Sequence, residues 1–104
     1  MSDNVLTPLE NAVLSAFGQE FPALPSLDGI AVVEREHSGA GRFTTLKWSG
    51  LPDGAVLVQS GRIRLESLSE GLGAVLFTAG TSACLELHTF AGDWDGNERD
   101  WKIE

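Results

Sequence analysis

The chain has 104 residues, 42% of them hydrophobic, with three Trp, five Phe and one Cys, and its 15 acidic and 7 basic side chains give a net charge of −8. That length suits one domain spanning residues 1–104, and the apolar and aromatic content excludes a disordered chain. The charge repels phosphate backbones and anionic bilayers, so nucleic acid and membrane surfaces are not expected as partners, whereas a basic protein is attracted.

The first eleven residues, MSDNVLTPLEN, hold neither the basic nor the apolar region of a secretory leader. No apolar run approaches the ~20 residues of a membrane span. A lone cysteine, Cys84, rules out an internal disulfide framework. Together these predict a soluble cytoplasmic protein, either a monomer or a homodimer.

One helix is expected, over residues 7–20. Thr7-Pro8-Leu9-Glu10 is a capping box with proline at the first helical position. Leu9, Val13, Ala16, Phe17 and Phe21 then form an apolar stripe, and Gly18, Pro22 and Pro25 mark the stop. Beyond Pro25 the pattern is that of strands, over residues 29–37, 42–49, 55–59, 62–68, 74–78 and 82–90. Breaks are expected at Ser38-Gly39-Ala40-Gly41, Gly50-Leu51-Pro52-Asp53-Gly54, Ser60-Gly61, Gly71-Leu72-Gly73 and Ala79-Gly80-Thr81. Short connections require antiparallel hairpins. The expected fold is α+β: one N-terminal helix on an antiparallel sheet of five or six strands, with a cystatin-like arrangement favoured.

Three constellations invite a chemical reading. The stretch REHSGAGRFTTL, residues 35–46, gathers charge, imidazole, hydroxyl and glycine. It fails as a dinucleotide loop, because Thr44 replaces the third glycine and a strand follows, and as a P-loop, because it has no lysine. A hairpin bend, with Gly39 and Gly41 at positive φ, needs less. On a regular strand Glu34 and Glu36 share the face of Ile30 and Val32, while Val33, Arg35 and His37 share the other. Glu34, Glu36, His37 and Arg42 are therefore candidate binding residues around the hairpin.

The second constellation is Cys84, Glu86 and His88, alternating with Leu85 and Leu87. Cys84 and His88 would stand about 13 Å apart at ~3.3 Å per residue, too far for proton transfer. One Cys and two His cannot close a zinc site. Glu86 and His88 remain as binding candidates on an exposed face, and neither a catalytic set nor a cofactor is expected. The third is the acidic tail, residues 91–104. Asp93, Asp95, Asn97 and Glu104 fall at positions 1, 3, 5 and 12 of a calcium loop, but Glu98 occupies the position that needs glycine. An acidic turn pinned by Trp94 and Trp101 is the competing reading.

The segments R-E-x-S-G-x-G-x-F-T-T at 35–45, GLGAVLF at 71–77 and CLELHTFAGDW at 84–94 resemble a group of small uncharacterised bacterial proteins. That group carries R-E-x-[ST]-G-x-G-[FY]-[FY]-T, a glycine-rich AGFVLF strand and an LEGYTY strand followed by Trp. Arg42 stands where the group has an aromatic, and His88 where it has glycine. The resemblance implies a bacterial source, a shared fold and, from some members, an immunity-type role beside secreted toxins; it transfers no catalytic residue. Function is expected to be non-enzymatic protein binding, with a pocketed small-molecule binder or enzyme as the alternative.

Overall fold

The computed structural model describes residues 5–103, apart from residues 53, 60, 61, 66, 67, 91, 95, 97 and 99. The order is α1 (Pro8–Glu20), β1 (Ala31–His37), β2 (Gly41–Lys47), β3 (Val56–Val58), β4 (Ile63–Leu65), β5 (Leu68–Ala79), β6 (Ser82–Thr89) and β7 (Lys102–Ile103). All strands join one antiparallel sheet in the order β1-β2-β6-β5-β4-β7, with β3 also on β5. The fold is α+β, one helix on an antiparallel sheet. No helix among the described residues is long and apolar enough to cross a membrane.

The helix starts where the capping box places it. Glu10 N donates to Thr7 Oγ1 at 3.1 Å, and Thr7 N donates to Glu10 Oε1 at 2.9 Å. Gly18 does not end it: the last turn runs to Glu20, and Phe21 closes it by donating to Phe17 O. Proline at 22 then cannot continue the ladder. Leu9, Val13, Leu14 and Phe17 are fully buried against Leu46, Leu72, Leu76, Leu85 and Leu87. These side chains fill the space between helix and sheet.

Two expectations about glycine are corrected. Gly71-Leu72-Gly73 does not break the chain, because β5 runs unbroken for twelve residues. One edge of β5 pairs with β6, while β3 and β4 share the other. The β4–β5 register slips between Ile63↔Leu72 and Leu65↔Leu68, and Gly71 takes φ +75° there. The glycine permits an irregularity within a strand and does not terminate one. The hairpin between β1 and β2 is real, but only Gly39 has positive φ, at +84°. Gly41 is glycine for room: a Cβ would strike the backbone carbonyl of Leu87.

A third correction concerns faces. Val32 pairs with Leu46 and Glu34 with Thr45, so Val33 is the extra residue of a β-bulge. The period-2 reading slips by one at that point. Val32, Arg35 and His37 therefore share the inner face with Leu46, Thr44 and Arg42, while Glu34 and Glu36 share the outer face with Thr45 and Phe43. The tail also forms a strand that was not expected. β7 pairs with β4, while Trp94 is buried and Trp101 packs on the core.

Candidate functional site

The charged residues of the opening hairpin turn mostly inward. The fully buried carboxylate of Glu10 receives Arg35 Nε at 2.9 Å and Arg35 Nη2 at 2.6 Å. Arg42 Nη2 bridges Glu10 Oε2 at 2.9 Å and Glu98 Oε2 at 2.6 Å. Thr44 Oγ1 donates to Glu10 at 3.1 Å, and Thr7 Oγ1 donates to Glu98 at 3.0 Å. Two arginines thus meet two glutamates, and the cluster is neutral. The Arg42 guanidinium also lies 5.1 Å from the Trp94 ring centroid, a cation–π contact. Burial pushes the Glu10 carboxyl up, but the Arg35 hydrogen bond, the Thr7 backbone N–H and the charges of Arg42 and Arg35 outweigh it. The group is held below the ordinary glutamate range.

This hub joins the helix N-terminus, β1, β2 and the tail, so its role is architectural. Arg42, a binding candidate from the sequence, is only 4% exposed and is committed to it. The hairpin tip serves the same end. Gly39 O accepts from Trp94 N, and Ala40 O accepts from Thr89 N, both at 2.8 Å. His37 lies against Gly96, where a Cβ would meet its ring. Ser38 Oγ donates to Gly41 O at 3.4 Å within the turn.

The face turned away from the helix is different. Strand register sets its rows: Glu36, Phe43, Glu86, Val75 and Val58 in one, and Glu34, Thr45, Cys84, Phe77 and Val56 in the next. A third row holds Gly41, His88 and Gly73. No described helix or strand covers this face. Val56 and Val58 are 61% and 60% exposed, and Phe77 is exposed beside them. Glu34, Glu36 and Glu86 stand on the β1 side, so one half is acidic and the other apolar. β1 is also an edge strand. Its Val33 bulge and its charges discourage addition of another strand there.

Cys84, Glu86 and His88 do share this face, with Leu85 and Leu87 buried behind them. His88 Nδ1 is 4.0 Å from Glu86 Oε2. Burial and then the Glu86 charge push the Cys84 thiol above its ordinary value, which disfavours the nucleophilic thiolate. His37 and His88 lie at the same end of the sheet but on opposite faces, since Arg42 and Gly41 are their neighbouring partners on β2. Asp93 is exposed, and the remaining calcium candidates, Asp95, Asn97 and Glu104, lie outside the described residues. Among the described residues no three His, Cys, Asp or Glu side chains gather as a metal site.

The alternation of β6 gave advance notice of this face, because apolar Leu85 and Leu87 point the residues between them outward. Its apolar half was missed. Val56 and Val58 lie on a three-residue strand whose pairing only the β3–β5 register reveals. Comparison with protein-family models, with curated proteins and with solved structures finds no match for this chain.

Proposed function

We propose that this chain is a small non-enzymatic protein-binding module that docks a basic partner on the open face of its sheet. An immunity-type protein that neutralises a basic toxin is the specific form of this reading. The observation that carries it is the juxtaposition of exposed Val56, Val58 and Phe77 with Glu34, Glu36 and Glu86 on one uncovered face. Exposed apolar residues grouped this way mark interaction surfaces, and an acidic border steers a cationic partner and speeds its approach. The net charge of −8 extends the same field to long range.

Affinity capture from a native lysate tests the proposal. At low salt the wild-type chain should retain a basic protein. That protein should elute by about 0.5 M salt, where the Debye length falls below about 5 Å. The pair Glu34→Lys with Glu36→Lys should lower retention about tenfold by weakening the steering term. Val58→Asp should abolish it by placing a charge in the apolar half. Retention that ignores all three substitutions, or no basic protein retained, counts against the proposal.

A further inference from the structure

A cavity of about 240 Å³ is lined by Val58 at the end of β3, Gln59, Arg62, Gly73 and Ala74 of β5, His88 of β6, and Phe90. Two side-chain atoms there are buried without a hydrogen-bond partner among the described residues: Gln59 Oε1 and His88 Nδ1. Gln59 is only 7% exposed, and its backbone N–H donates to Ala74 O at 3.0 Å, which fixes it beside β5. The Glu86 carboxylate stands 4.0 Å from His88 Nδ1, beyond hydrogen-bond reach. An unpaired buried carbonyl costs stability, so a second such atom in the same cavity needs a reason.

The walls supply one. The His88 and Phe90 rings meet edge to face at 5.4 Å and settle against Gly73, where any Cβ would collide with both. The Arg62 guanidinium lies 4.9 Å from the Phe90 ring centroid. Among the described residues no acidic side chain lines the cavity. Its lining therefore combines flat apolar walls, a delocalised cation and a glutamine whose buried side-chain oxygen is unpaired. We propose that this cavity is a binding subsite for a small planar carboxylate that also carries an O–H or N–H donor. The carboxylate pairs with Arg62, whose planar fork matches it, and the donor reaches Gln59 Oε1. His88 Nδ1 takes the role its tautomer leaves open. The volume is below that of a drug-sized site, so the occupant is a fragment of roughly a dozen heavy atoms. This subsite does not depend on the protein-docking reading.

Amide NMR of the full chain tests it, with 4-hydroxybenzoate as the probe and benzoate and phenol as controls lacking the donor or the acid. Saturable shifts are expected at Val58, Gly73 and Ala74, with a Kd on the order of 1 mM. Each control should bind about tenfold more weakly, the weight of one well-made polar contact. Arg62→Gln should cost about tenfold for 4-hydroxybenzoate and nothing for phenol. Val58→Trp, at an exposed position, should cap the mouth and remove the shifts without lowering Tm. Gln59→Met should erase the preference for a donor and leave Tm equal or higher, because it removes the unpaired carbonyl. Three results would overturn the proposal: no saturable shift at about ten times the expected Kd, shifts that Val58→Trp leaves in place, or a fall in Tm for Gln59→Met, which would make the amide structural.

Discussion

Glu10→Ala is expected to destabilise the fold by about 3–5 kcal/mol, the usual cost of breaking a buried ion pair from one side. For a domain of this size that lowers Tm by more than about 12 °C. The reason lies in what the substitution leaves behind. Arg42, 4% exposed, keeps Glu98 but loses Glu10, while Arg35 and Thr44 lose their carboxylate partner. The helix also loses one arm of its capping box. If capping were the whole contribution, the cost would stay within about 0.5–2 kcal/mol. Glu10→Gln separates the two effects. The amide preserves volume and can still accept from Thr7 N, but it removes the negative charge that Arg35 and Arg42 share at this position. Chemical denaturation should place Glu10→Gln close to Glu10→Ala. A loss under about 1 kcal/mol for Glu10→Gln would mean that the charge does not hold the hub together.

The same residue fixes a pH signature. Its folded pKa lies below the ordinary value of 4.5. Between the folded and unfolded values the unfolded chain binds more protons, so stability rises with pH across that window. The contribution is complete above about pH 4.5 and disappears as pH falls through the folded value. Stability curves measured from pH 2 to 7 (a range about the carboxylate pKa) should be flatter for Glu10→Gln at the acid end. Parallel curves for the two proteins would rule out Glu10 as the source.

How far the sequence carries can be judged from Glu10 itself. Thr7 and Glu10 announced the capping box, because that interaction is local and needs only a spacing of three. Nothing local announced that the same carboxylate meets Arg35, Arg42 and Thr44, which lie 25, 32 and 34 positions away. The bulge at Val33 hid this further. A strict alternation of two places Arg35 opposite Val32, and one extra residue brings them onto the same face. The outer face was half legible for the complementary reason. Leu85 and Leu87 are long apolar side chains in register, and they force Glu86 and His88 outward. The cavity could not be read at all, since its lining comes from separate stretches of the chain: Val58 and Gln59, Arg62, Gly73 and Ala74, and His88 with Phe90. Glycine was the most misleading letter. At 71 and 73 it marks places where something approaches closely, yet in a sequence it reads as a break.

That ambiguity yields the second large effect, an inversion between two glycines of one turn. By turn chemistry Gly39 should matter more, because it alone has positive φ, at +84°. Yet a Cβ at Gly39 meets nothing within 4 Å, so Gly39→Ala pays only the backbone penalty of about 1 kcal/mol. Gly41 has no such φ, but a Cβ there runs into the Leu87 carbonyl and crowds the His88 Cα. Backbone cannot rotate aside as a side chain can, so β2 must move away from β6 at the end where Gly41 pairs with His88. Gly41→Ala should therefore cost about 2–3 kcal/mol, in the upper range for overpacking. The strain should also spread to its neighbours. Thr89 N donates to Ala40 O and Trp94 N to Gly39 O, so the tail is anchored to the displaced hairpin. Trp94 fluorescence should respond to Gly41→Ala in the folded state and remain unchanged in Gly39→Ala. If equilibrium unfolding ranks Gly39→Ala as the more damaging change, the hairpin is held by its turn alone. The close approach of β2 to β6 would then carry no energetic weight.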